Sequence, residues 1–110
     1  MINSNHIESL IHQNLQDMQF CVARLALLLE ISPSHLRVVV RKMYNMQPNQ
    51  LIRRMRMARA REMLSRLEKV QTVSRSVGYS TTRSFRGAFK KDADMRPKDF
   101  KKLSRTSLSR

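Results

Sequence analysis

Apolar residues recur along this chain at the three-to-four-residue spacing of helices that are packed on one side. Ile7, Leu10, Ile11, Leu15 and Met18 form the first stripe, and Asn5 followed by Glu8 has capping-box spacing at its start. A second apolar segment begins at Phe20 and Cys21, holds Val22, Leu25, Ala26, Leu28 and Leu29, and ends near Ile31. Ser32-Pro33 then reads as an N-cap and first helical residue, where proline gives up an N–H that has no helical partner anyway. Pro48 and Pro97 fit the same role, so all three prolines mark helix starts. The helix opened by Pro48 is predicted to reach about Arg66. Ile52, Met55, Ala60, Met63, Leu64 and Leu67 lie along one side of it, and Arg53, Arg54, Arg56, Arg59 and Arg61 on the others. A shorter helix over about Val70–Val77 stops at Gly78, the left-handed residue expected just past a helix end. Thr81 caps a helix that sets Phe85 and Phe89 at i, i+4 and ends near Asp92, and a final short helix follows Pro97. The pattern predicts an all-α chain of about seven helices with no strand signal.

This punctuation repeats. At an offset of 49 residues, the stretch from Arg41 to Leu51 overlays that from Lys90 to Phe100. Lys42, Met46 and Pro48 meet the identical Lys91, Met95 and Pro97, Asn45 meets Asp94, and Leu51 meets Phe100. The same offset pairs Ser32 with Thr81, Leu36 with Phe85 and Arg37 with Arg86. Upstream the offset falls to 48, pairing Leu25 with Val73 and Leu29 with Val77, so the second unit's turn is one residue longer. Each unit reads as a short apolar helix, a tight turn, and a capped helix with basic residues outward. That is helix-turn-helix grammar. The expected organisation is a first unit over residues 5–47, a linker helix over 48–67, a second unit over 68–104 and a basic tail over 105–110.

Charge sharpens the picture. The 110 residues hold 22 Lys and Arg against 8 Asp and Glu, a net charge of +14, with 41% hydrophobic residues, enough to fold. Such a balance points to a polyanion, nucleic acid or an anionic membrane. Residues 1–50 carry 4 basic and 3 acidic side chains, net +1, and residues 51–110 carry 18 and 5, net +13. The second half should therefore grip harder. Cys21 is the only cysteine, which leaves no disulfide framework or CxxC knuckle and fits a reducing cytosol. With two glycines, no phosphate-cradling glycine loop exists. No apolar run approaches a membrane span, and the first residues lack a signal peptide's charged and apolar regions. His6, His12 and His35 have no metal-ligand spacing, and no nucleophile–base order or paired carboxylate set stands out. Neither cofactor, metal nor catalysis is expected.

Leu25-Ala26, Ile31-Ser32, Leu36, the Arg56-to-Ala60 stretch, Val77-Gly78-Tyr79, Phe85, Phe89-Lys90-Lys91 and Met95-Arg96-Pro97 together resemble the AraC/XylS-type DNA-binding domain, over about residues 7–104. The resemblance implies two recognition helices inserted into successive major grooves on one face of duplex DNA. Carried over position by position, the base-reading residues would be Ser34, His35, Arg37, Val38 and Arg41, then Thr82, Arg83, Arg86 and Gly87. Arginine suits guanine O6 and N7, while Ser and Thr serve several base edges. Lys42, Lys90, Lys91, Lys98, Lys101 and the linker arginines would contact phosphate, which positions without reading sequence. Departures from the family pattern are Val38 and Gly87 where a basic residue is frequent, Asn45 and Asp94 in place of glycines, and Ser74 in place of an alanine. Asn and Asp tolerate the left-handed geometry those glycines supply. The resemblance further implies a bacterial, cytoplasmic, nucleoid-associated regulator that activates by contacting RNA polymerase. A monomer suffices, because one chain can fill two grooves, and the chain is either a stand-alone regulator or the output domain of a longer sensor.

Blander readings stand beside these. Phe85, Phe89, Tyr44, Tyr79 and Phe100 could stack on bases, but their placement favours core packing. The eight methionines favour core filling, and Cys21 a buried helix position. Arg56 is open between a phosphate contact and a structural tie to a neighbouring helix. Two other functions remain in view: a non-specific or architectural nucleic-acid-binding protein, and a helical interaction module whose basic surface meets an acidic protein.

Overall fold

The computed structural model describes residues 2–108. Seven helices follow one another: α1 (Ser4–Gln13), α2 (Val22–Leu28), α3 (Pro33–Tyr44), α4 (Pro48–Ser65), α5 (Val70–Ser76), α6 (Thr82–Ala93) and α7 (Pro97–Leu108). Among the described residues there is no strand. All three prolines open helices as expected, and Ser32 and Thr81 cap α3 and α6, their side-chain oxygens accepting from the N–H of His35 and of Ser84 at 3.1 Å each.

The repeat is drawn in hydrogen bonds. At the end of α2, Glu30 N–H donates to Leu27 O and Ile31 N–H to Ala26 O; at the end of α5, Gly78 donates to Arg75 O and Tyr79 to Ser74 O. Each pair forms a Schellman turn around one left-handed residue, Glu30 at φ 58° and Gly78 at φ 86°. The next helix ends also match, with Asn45 and Asp94 left-handed at φ 55° and 57° and donating to Arg41 O and Lys90 O, both at 2.9 Å. The two residues that replace glycines thus take up the geometry expected of them.

Buried side chains gather in two clusters. The first holds Ile7, Ile11, Leu25, Leu36, Val40 and Ile52 among others; the second holds Met57, Ala60, Leu64, Val73, Phe85 and Phe89 among others. Helix α4 serves both, packing on α1 and α3 with its first half and on α5, α6 and α7 further along. The Cα radius of gyration is 15.1 Å, against about 13 Å for a single ball of this length. Two lobes on one rod, 46 Å from end to end, account for the excess. Ser74 sits in the second core with its hydroxyl donating to Gln71 O at 3.0 Å, so the replacement of alanine leaves no orphaned group.

Four local expectations need correction. The N-cap of α1 is Asn3, not Asn5: Asn3 Oδ1 accepts from His6 N–H at 2.8 Å, and the helix starts two residues earlier. Glu8 instead accepts from the Tyr44 hydroxyl at 2.7 Å. Met18 lies outside the helix and is 58% exposed, because the Asn14 side chain donates to Leu10 O and ends α1 at Gln13. Cys21 is exposed at the N-cap of α2 rather than buried within a helix. Helix α7 is not short; it runs to Leu108 and takes in residues set aside as tail, while residues 109–110 lie outside the described ones.

Candidate nucleic-acid interface

On α3, Leu36 and Val40 are fully buried, which turns Ser34, Arg37, Val38 and Arg41 outward, each of them exposed. These four share one front, since helical residues three or four apart are neighbours. His35 is exposed but sits on a flank, where with Ile2, Val39, Lys42 and Met43 it lines a groove. The structure therefore groups four of the five first-unit candidates and sets His35 with Lys42 beside them.

On α6, the buried pair Phe85 and Phe89 turns Arg83, Arg86, Gly87 and Lys90 outward. Thr82 is partly covered at the helix start. Repeat positions match one to one across the two fronts: Ser34 with Arg83, Arg37 with Arg86, Val38 with Gly87, Arg41 with Lys90. A Cβ added at Gly87 would meet nothing within 4 Å, so this glycine is not there for close packing.

Four of the eight acidic side chains are held in ion pairs, none of them with the fronts. The ion pairs among the described residues are Arg24–Asp17, Arg59–Glu62, Arg66–Glu62, Arg61–Asp92 and Arg96–Asp99. None involves Arg37, Arg41, Arg83, Arg86 or Lys90. Beside Arg96, with Lys102 and Lys98 near, the Asp99 carboxyl is held below the usual carboxylate range. Five unpaired cations thus stand on the two outward fronts, where they attract a polyanion, and further unpaired cations line α4 and α7.

The expected phosphate-contacting lysines fall in three places. Lys91 lines a cleft of about 300 Å³ with Asn45, Gln50, Arg53 and Arg54, between the C-terminal ends of α3 and α6. Lys98 shares a second cleft with Arg86 and Arg96, beside the α6 front. Lys101 joins Lys98, Lys102 and Arg105 along α7. Gln50, Lys102 and Arg105 were not singled out from sequence. The run Lys98, Lys101, Lys102, Arg105 does carry a signal, the spacing of one helical face. Gln50 is claimed by local structure, its side chain accepting from Gln47 N–H at 2.9 Å at the start of α4.

Arg56 resolves as a structural tie. Its guanidinium donates from Nη2 to the carbonyl of Asp17 at 3.0 Å and lies 6.0 Å from the Tyr79 ring centroid. Burial lowers its pKa, and Tyr79 and Asp17 partly offset that. The aromatic residues are core: Tyr79–Phe85, Phe85–Phe89 and Phe89–Phe100 pack with centroids 5.8, 5.7 and 5.6 Å apart. Among the described residues no group of His, Cys, Asp or Glu could hold a metal ion, and no helix is long and apolar enough to cross a membrane.

Two capped helix-turn-helix units on a shared rod, each presenting its second helix outward, define a tandem helix-turn-helix fold. Residues 25–103 match a family model described as a helix-turn-helix domain. The chain belongs to the AraC-type helix-turn-helix family, whose members are DNA-binding transcription regulators. It is similar to a DNA-binding transcriptional dual regulator from Escherichia coli K-12, at 26% identity and a TM-score of 0.81, covering 91% of this chain and 89% of that one. The DNA-binding domain of the global transcriptional factor AdpA, solved with a target DNA, gives 20% identity and 0.85, covering 94% and 93%. The C-terminal domain of the response regulator yesN from Fusobacterium nucleatum gives 23% and 0.82, covering 88% and 95%. A search of curated protein sequences returned no match.

Proposed function

We propose that this chain is a sequence-specific regulator that reads duplex DNA with α3 and α6 in successive major grooves. One observation carries the reading: on the outward fronts of two repeated helices, five cations stand with no acidic partner, and the four carboxylates that form ion pairs do so elsewhere. The rod between the units supports the spacing. Helix α4 has 18 residues, which rise about 27 Å, and the molecule extends 46 Å, room for two grooves about 34 Å apart.

Base contacts are proposed for Ser34, Arg37, Val38 and Arg41 and for Thr82, Arg83, Arg86 and Gly87, the two without polar side chains acting through thymine methyl contact or close approach. His35, Lys42, Lys90, Lys91, Lys98 and Lys101 are proposed to hold the flanking phosphates, which moves His35 from the reading set to its border. Residues 5–47 and 68–104 act as the reading units and 48–67 as the spacer. The family supports an activating role in the bacterial cytoplasm through RNA polymerase. Transcription in vitro from a selected site, with and without the protein, gives its sign.

The test is selection of DNA from a random pool, then affinity for the selected and a scrambled duplex at two salt concentrations. Specific binding is expected to be at least about 10³-fold tighter than non-specific binding. With 6–10 phosphates contacted, affinity drops about 10³–10⁵-fold between 50 and 200 mM salt. Equal affinity for scrambled DNA leaves only an architectural role. A flat salt response removes DNA altogether and favours an acidic protein partner.

A further inference from the structure

Three segments meet at one guanidinium. The first buried cluster reaches along α4 as far as Ile52, with Met55 against it, and the second begins at Met57. Arg56 stands at the boundary, half-buried, where the rod would otherwise run bare between two lobes. From there its Nη2 holds the Asp17 carbonyl in the α1–α2 connection, and its face lies over Tyr79 in the turn between α5 and α6. That turn also closes directly on the first unit. A Cβ at Gly78 would lie 2.5 Å from the Leu15 carbonyl oxygen and 2.9 Å from Arg56 Cζ, so only glycine lets the two backbones approach this closely.

We propose that Arg56, seated against Gly78, fixes the rotation and separation of the two reading helices, and thereby selects the spacing between half-sites that the protein accepts. This rests on the duplex-reading function above. Chemistry favours arginine for the task, because a planar guanidinium donates at its edge while its face packs on an aromatic ring. A lysine ammonium has donors but no flat face to lay on the ring while donating from its edge. The Arg56 Nε is buried without a hydrogen-bond partner, a cost that the contacts of the rest of the guanidinium offset. Arg56 is on this account a positioning residue: it touches no DNA and acts through the pose of α3 and α6.

Two measurements on the full chain test this. In a Cys21→Ser background, spin labels at Leu27→Cys and Thr72→Cys, exposed on α2 and α5, report the distance between units without DNA. The parent should give one narrow distribution, and Arg56→Leu and Arg56→Lys a broader or shifted one. An unchanged distribution in Arg56→Leu overturns the clamp. The second measurement uses selected duplexes with one base pair added or removed between half-sites. The parent should lose affinity about tenfold or more on the altered spacings, because a one-pair change also rotates one half-site about the duplex axis. Arg56→Lys and Arg56→Leu should flatten that discrimination to about threefold or less while still binding the optimal duplex. Equal weakening on every spacing marks a phosphate contact or plain loss of fold, and overturns the proposal. Thermal unfolding monitors each variant, and if Arg56→Leu does not fold, Arg56→Lys and Gly78→Ala carry both readouts. Broadened distances in a chain that binds no duplex uphold the clamp, and overturn the DNA reading and the spacing selection together.

Discussion

The two helix-turn-helix units share a backbone plan and fill it with different chemistry. Where the first unit has Leu36, Val40 and Leu51, the second has Phe85, Phe89 and Phe100 at an offset of 49 residues. The first core, aliphatic but for Phe20, leans on α1, whose Ile7 and Ile11 are fully buried, and on a tether from α3 back to it through Tyr44 and Glu8. The aromatic core has the far half of α4 in that place, and joins turn, α6 and α7 through a chain of ring contacts. Such pairs add about 0.5–1.5 kcal/mol each beyond the area they bury. Their outward fronts diverge too: Ser34, Arg37, Val38 and Arg41 hold two cations, and Arg83, Arg86, Gly87 and Lys90 hold three. The repeat conserves caps, turns and a buried pair per helix; it leaves core chemistry and surface charge free to differ.

Substitutions at matched positions press on that difference. Phe89→Ala should cost about 3–5 kcal/mol in urea unfolding, and Val40→Ala about 2 kcal/mol. Equal losses would mean that the ring chain contributes less than the size of Phe89 alone accounts for. Next, Arg37→Ala and Arg86→Ala should each weaken specific binding by about 1–3 kcal/mol and relax preference at separate base pairs. Uniform weakening across sequences in a binding titration would reassign that arginine to phosphate. The left-handed turn residues should respond with opposite signs. Gly78→Ala should destabilise by about 1–3 kcal/mol, since its backbone is strained for alanine and its space is taken. Glu30→Gly should stabilise by up to about 1 kcal/mol, because Glu30 is exposed and only its φ is unfavourable.

The smallest effect concerns Tyr44, whose phenol is pushed up to about 12 by burial and by its bond to Glu8. The folded chain holds that proton more tightly than the unfolded one does. The resulting stabilisation is whole below about pH 10 and fades as pH rises through about 12. Tyr44→Phe should remove this alkaline loss from the urea midpoint. The second unit, with Ala93 at the matching position, has no equivalent.

Prolines, caps and the repeat made the helices, their order and the two outward fronts legible, because each acts through bonds to near neighbours. Errors fell where the sequence offers two solutions of one kind. Asn3 and Asn5 can each cap a helix start, and it is Asn3 that does so, while Glu8 bonds Tyr44 instead. Met57 escaped the linker's apolar stripe because α4 serves two cores and turns its buried side between them. Arg56's role was hidden for another reason. One partner is a backbone carbonyl, which no residue type announces, and the other a ring in a distant turn.

Gly87 has a consequence for how such a protein changes over generations. It stands exposed in the middle of α6 with nothing within 4 Å of the place its side chain would occupy. Most replacements would firm the helix, glycine being about 1 kcal/mol worse than alanine there. A lineage can therefore try new side chains at this one position of the proposed reading face while every cap and core contact stays as it is. Under the proposed function, operator preference drifts by a single codon on an unchanged scaffold.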